Sequence, residues 1–197
     1  MRASTRLKFV FICNPKCAST SIRNALDPHS NLRANPRSPR RPLSNHASAR
    51  EVKAMFEEQG RDWSEYFSFT TMRNPWAKVA SLYTYALKQP RSVAHEVAVQ
   101  ADDIAGFIGT DVFLETIRPL DRMTLDQDGT RLVDRIYKVE TLADDLPEIE
   151  GKLGVQLAVP HLNASSNHDY RQLFDARSVE KVRELFRSDI EAGQYEF

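Results

Sequence analysis

The sequence predicts an α/β protein, a single three-layer domain over residues 1–197 with helices on both faces of a mostly parallel central sheet. Three observations predict it. Short, nearly continuous apolar runs bounded by turn residues read as strands buried on both faces. Each run is followed by a stretch with apolar residues at helical spacing, so strands and helices alternate. The chain has 197 residues and is 41% hydrophobic, which suffices for one sizeable core.

In chain order, Leu7 to Cys13 is the first apolar strand, and Ser19 to Leu26 the helix after it. Asp27 to Asn45, rich in Pro, Arg, Ser and Asn, reads as a long irregular loop of the kind that serves as a substrate loop or lid. Ser48-Ala49-Arg50-Glu51 is a capping box opening a helix through about Gln59. Trp63 to Met72 is the second strand, aromatic and β-branched. Arg73-Asn74-Pro75-Trp76 ends it, and Pro75 sits where a helix from Trp76 to Lys88 tolerates proline. Ser92 to Arg118 is helical, with Ile104, Phe107, Ile108, Phe113, Leu114 and Ile117 at helical spacing. Asp126-Gln127-Asp128-Gly129 is a turn, and Arg135 to Val139 the third strand. Thr141 is read as the cap of a helix ending near Gly154, and His161 to Tyr170 as a polar loop. The last helix starts at about Ser178 and carries Val179, Val182, Leu185, Phe186 and Ile190 on one face.

Net charge is zero, with Lys+Arg 27 against Asp+Glu 27, so composition makes no case for a nucleic-acid partner, and none is expected. Locally, no acidic residue separates Asp27 from Glu51, while Arg33, Arg37, Arg40, Arg41 and Arg50 fall between them. That run is most simply a solvated loop; its functional reading is an anionic acceptor. Cys13 and Cys17 lie four apart across a strand-to-helix turn, poor geometry for a disulfide. With no signal peptide and no long apolar run, a cytoplasmic location and no membrane span are expected, an anchor outside the given residues being left open.

The chemistry concentrates where the first strand breaks at Asn14-Pro15, presents Lys16, and enters a helix through Ser19, Thr20 and Ser21. Helix-opening amides and the positive end of the helix dipole attract anions, hydroxyls add donors, and lysine adds a full charge. A nucleotide-hydrolysing P-loop needs GxxxxGK[ST]; no glycine is present here and the lysine precedes the hydroxyls, so a nucleoside kinase is a poor fit. Arg73, after the second strand, offers a planar fork for a phosphate, and Ser81 a hydroxyl about two turns into the next helix, beyond Lys78. Ligands of such sheets sit at the carboxyl ends of the strands, so both segments are expected to face one crevice. Two anion sites on one ligand point to a nucleotide phosphorylated at two places.

Pro15-Lys16-Cys17-Ala18-Ser19-Thr20-Ser21 resembles the 5′-phosphosulfate loop of the sulfotransferases, and Arg73-Asn74-Pro75-Trp76-Ala77-Lys78-Val79-Ala80-Ser81-Leu82-Tyr83 resembles their 3′-phosphate motif, RNPxxRxxSxY. The nearest likeness is to the carbohydrate branch (Golgi-type, heparan 2-O-like) and its small bacterial relatives. Tyr137-Lys138-Val139-Glu140, His161-Leu162-Asn163 and the closing Asp189-Ile190 to Tyr195 are further echoes. The resemblance implies a P-loop-NTPase-like sulfotransferase fold and transfer of a sulfuryl group from 3′-phosphoadenosine 5′-phosphosulfate (PAPS) to a hydroxyl, on a carbohydrate or a small molecule, without a metal. It would place Lys16, Cys17, Ala18, Ser19, Thr20 and Ser21 on the 5′-phosphosulfate, with Lys16 stabilising the leaving oxygen, and Arg73 and Ser81 on the 3′-phosphate. Lys78 stands where the family has a second arginine, and Cys17-Ala18 where Thr-Gly is commoner.

Removing the acceptor proton near neutral pH suits a histidine. His46, between the basic loop and the capped helix, is the expected general base, and relatives carry a histidine at the corresponding place. Its plainer reading is a loop residue beside the helix start. Glu51 is the fallback base, better explained by the capping box. His29, His95 and His168 read as surface residues, Tyr83 as core, and His161, Asn163, Ser165 and Arg171 as residues that would close over the nucleotide. Two rivals remain. Cys17 to Arg23 also fits CxxxxxR, the loop of cysteine-dependent phosphatases, with Cys17 as nucleophile and Arg23 cradling phosphate. The other is a nucleotide- or glycan-binding module without catalysis.

Overall fold

The structure, a computed structural model, describes residues 1–34, 43–159 and 169–197. The chain forms two compact units, Met1–Met72 with Asp121–Ala164, and Arg73–Leu120 with Ser165–Phe197.

The first unit is built on a five-stranded mixed sheet in the order β3-β1-β2-β4-β5, with strands β1 (Arg2–Ser4), β2 (Phe9–Ile12), β3 (Leu32–Arg33), β4 (Phe67–Met72) and β5 (Arg135–Lys138). The three strands expected from apolar runs form its parallel part: Phe11 pairs with Phe69, and Thr71 with Tyr137. The sheet is not mostly parallel, because β1 runs antiparallel to both β2 and β3. These strands are too short to show alternation; main-chain bonds to β2 define β1, and bonds to β1 define β3. The span read as irregular loop from Asp27 begins instead with a 3₁₀ turn, Asp27–His29, and then β3.

Successive residues of a strand point to opposite faces, and β2 is enclosed on both. Phe9, Phe11 and Cys13 join Phe69 and Tyr137 under Ile22 and Leu26 of helix α1 (Ser19–Leu26) and under Leu142, Ile149 and Leu153 of the later helix over 142–153. Val10 and Ile12 pack on the other face against Val52 and Phe56 of α2 (Ala49–Glu58). This is the three-layer arrangement, helix on sheet on helix. α2 starts as expected: Ser48 Oγ accepts from the Glu51 amide, and Glu51 Oε2 accepts from the Ser48 amide at 2.7 Å.

The second unit is helical: α3 (Pro75–Leu87), α4 (Val93–Gln100), α5 (Ile104–Phe107) and α6 (Asp111–Thr116), joined by α9 (Ala176–Leu185) and α10 (Arg187–Gly193) after the intervening α7 (Leu120–Thr124) and α8 (Leu142–Leu153). Its core gathers Trp76, Val79, Leu82, Tyr83, Phe107, Phe113, Val182 and Phe186. Tyr83 is core, as expected. Several boundaries differ from the sequence reading: β4 starts at Phe67 because Trp63–Glu65 is a 3₁₀ turn, and the span from Ser92 to Arg118 is three separate helices. Thr141 gives α8 no side-chain cap, because Val139–Thr141 is a 3₁₀ turn running straight into it. The last helix starts earlier, under a capping box of Asp175 and Ser178, and breaks at Phe186 into α9 and α10. Among the described residues no helix is long and apolar enough to cross a membrane.

Candidate functional site

The link from β2 to α1 is a tight, braced loop. The Cys17 amide donates to the Asn14 carbonyl at 3.4 Å, closing a turn with Pro15 at its second position and Lys16, at φ +61°, at its third. That is the pattern of a type II turn, whose third position requires positive φ and ordinarily takes glycine. Ala18, the residue before α1, is left-handed as well, at φ +55°. Left-handed residues followed by helical ones turn consecutive amides into a concavity that suits an anion. Ala18 has no side-chain acceptor to cap α1, and the helix's own first turn contains no acidic residue, so within the helix its amides and the dipole meet no counter-charge.

β4 braces this loop. Asn14 Nδ2 donates to the Thr71 carbonyl at 3.0 Å, Thr71 Oγ1 donates to the Cys17 carbonyl at 2.6 Å, and Thr70 Oγ1 donates to the Ile12 carbonyl at 2.7 Å. Asn14, Thr70 and Thr71 are fully buried, so each bond replaces lost hydration in a place where an unmade one is costly. Sequence reasoning passed over these residues. The available signal was two adjacent threonine hydroxyls at the end of a buried strand, which must find acceptors and so announce a neighbouring main chain.

The predicted ligand residues divide by exposure. Ser19 is buried, its hydroxyl donating to the Asn14 carbonyl inside the loop. Cys17 is enclosed, at 0% exposure. Lys16, Ala18 and Ser21 are half-buried, and Thr20 is exposed.

His46 is brought to this loop. Its Nδ1 lies 2.8 Å from the Cys13 carbonyl oxygen. A carbonyl only accepts, so Nδ1 carries the proton and the neutral ring presents Nε2 as its basic nitrogen. The amide of His46 donates to Ser44 Oγ at 3.1 Å, and two residues on Ser48 caps α2. Glu51 is engaged in that cap, as its plainer reading held.

The second unit holds Arg73 and Ser81. Arg73 directly follows β4 in the chain and is half-buried; among the described residues its guanidinium enters no hydrogen bond or ion pair. Asn74 caps α3, its Oδ1 accepting from the amides of Trp76 at 3.1 Å and Ala77 at 3.3 Å, while its Nδ2 donates to the Glu196 carbonyl at 2.8 Å. Trp76 is buried in the core, with Nε1 on the Val179 carbonyl. Lys78 is fully enclosed and donates to the Arg118 carbonyl at 2.8 Å and to Asp189 Oδ1 at 3.4 Å, so its ammonium is committed to the interior. Of this motif, Arg73 and half-buried Ser81 are left to meet a ligand.

Arg171 is exposed, stacked over Tyr170 at 5.1 Å. His29 and His95 are half-buried, and His95 Nδ1 rests on the Leu87 carbonyl at 3.1 Å, a structural role. Arg37, Arg40, Arg41, His161, Asn163, Ser165 and His168 lie outside the described residues. Comparison with protein-family models, with curated proteins and with solved structures returns no match to this chain.

Proposed function

We propose that this protein is a PAPS-dependent O-sulfotransferase. The observation that carries the reading is the His46–Cys13 contact, which puts a tautomer-defined imidazole on the loop that presents Lys16 and the open amide end of α1. An anion cradle and a base held by its own backbone are what transfer of a charged group to a hydroxyl requires.

When bound, PAPS supplies the sulfuryl group and a phosphate leaving group. The residues divide the remaining work. The amides of Ser19, Thr20 and Ser21, with the Thr20 and Ser21 hydroxyls, bind the 5′-phosphosulfate, and Lys16 offsets charge on the departing phosphate oxygen. His46 Nε2 takes the proton of the acceptor hydroxyl, while Nδ1–H stays on the Cys13 carbonyl and prevents the ring from rotating away. Arg73 and Ser81 take the 3′-phosphate. The acceptor is a hydroxyl compound, a carbohydrate among the candidates.

The phosphatase reading needs an accessible thiolate. Complete enclosure of Cys17 and the engagement of its carbonyl by Thr71 favour the sulfotransferase reading instead.

Calorimetric titration with 3′-phosphoadenosine 5′-phosphate and with adenosine 5′-monophosphate tests the proposal. The bisphosphate should bind tighter, and Arg73→Ala should erase the difference. Lys16→Ala should weaken both ligands. Equal, weak binding of the two ligands to the unaltered protein would overturn the reading.

A further inference from the structure

We infer that the buried Lys78–Asp189 pair is a positioning device that sets α3 so that Arg73 and Ser81 meet the 3′-phosphate; this deepens the donor reading above and rests on it. Both side chains are at 0% exposure. The ammonium lies 2.8 Å from the Arg118 carbonyl, 3.4 Å from Asp189 Oδ1 and 5.1 Å from the Phe186 ring centre. The second carboxylate oxygen accepts from the Leu120 amide at 2.6 Å. Three segments of one unit, α3, residues 118–120 and the α9–α10 junction, are thus joined through four polar or ring contacts around one ion pair.

An apolar pair of the same volume would stabilise this core as well or better, because desolvating two charges offsets much of their attraction. A buried pair of this kind therefore calls for a reason other than stability, and geometry supplies it. Apolar side chains tolerate sliding, whereas these bonds hold in one register only. Lys78 is three residues before Ser81 on the same helix, which makes the two neighbours on its surface. Asn74 fixes the helix start through its cap and its bond to the Glu196 carbonyl. Along the chain the two anchors, Asn74 and Lys78, lie between the two ligand residues, Arg73 and Ser81. A shift of α3 by about 1 Å breaks the Lys78 bonds and displaces the hydroxyl and the guanidinium together, a misplacement large enough to matter to a bound phosphate.

The test measures affinities for 3′-phosphoadenosine 5′-phosphate and adenosine 5′-monophosphate, with thermal unfolding in parallel, for the unaltered protein, the Lys78→Met/Asp189→Leu double variant and Lys78→Arg. The unaltered protein should prefer the bisphosphate. The double variant should stay folded, keep its affinity for the monophosphate and lose about tenfold of the preference, while Lys78→Arg retains it. A merely structural role would lower the melting temperature and leave the preference in place, and a folded double variant with full preference overturns the inference. Should the double variant not fold, Asp189→Asn carries the test, and an unchanged preference in it has the same force. An unaltered protein that binds both ligands equally removes the donor reading itself, a result read without any variant.

Discussion

The His46 imidazole hangs from the backbone of the loop it would serve: Nδ1 donates to the Cys13 carbonyl at 2.8 Å, three residues before Lys16. The proposed base and the loop therefore share one frame, and movement of the loop carries the ring with it. His46→Ala should lower the turnover rate by roughly 10²–10⁴-fold, the usual contribution of a positioned general base. Binding of 3′-phosphoadenosine 5′-phosphate should stay within a few-fold. His46→Asn, whose amide can keep the bond to Cys13, should be as inactive while restoring any lost thermal stability. An Asn variant with substantial turnover would show that the proton leaves by another route.

Ala18 holds φ +55° with a side chain that disfavours it. A β-carbon in the left-handed region costs roughly 1–2 kcal/mol, part of which glycine gives back through the entropy of its unfolded chain. Ala18→Gly should raise stability by about 0.5–1 kcal/mol, read as a shifted denaturation midpoint at unchanged slope. Lys16→Gly relieves a similar strain at φ +61° but removes the charge, so it should stabilise the fold and weaken anion binding together.

Thr71 joins the end of β4 to the loop through the Cys17 carbonyl. Thr71→Val keeps the shape and leaves that buried carbonyl without its donor, at a cost of about 1–3 kcal/mol. The loop then loses a brace, and affinity for a phosphorylated nucleotide should fall further than for Thr70→Val, whose bond goes to Ile12 within β2. Equal effects of the two variants on binding would show that the brace contributes only to stability.

Asp27 accepts from Arg2 and lies 3.6 Å from Arg33 Nε, and the Arg2 bond, with help from the charges of Arg2, Arg33 and Arg23, holds its carboxyl below the usual carboxylate range. A depressed folded-state pKa contributes stability above the unfolded value, and the contribution is lost as pH falls through the folded value. Asp27→Asn should cost up to about 1 kcal/mol at neutral pH, a modest figure because the carboxylate is partly open to water. As pH falls through that lowered value the difference between the two proteins should vanish. A difference that persists undiminished in acid would mean that Asp27 acts through packing rather than charge.

Local pattern alone determined the parallel strands, the helix starts at Ser48 and Pro75, the sharp break at Asn14-Pro15 and the identity of the residues around it. Each of these depends on neighbours within a few positions: apolar runs, a capping box, a proline after an asparagine. The tertiary structure decided what depends on distant partners. The short strands β1 and β3 exist through main-chain bonds to other strands. Thr71 turns its hydroxyl to the Cys17 carbonyl across 54 positions, and Lys78, a charged residue on a helix, is enclosed because Asp189 waits more than a hundred positions later. A side chain's polarity is written in the sequence, whereas the partner that satisfies it, and hence whether it faces a ligand or the interior, is settled by which segments the fold packs side by side.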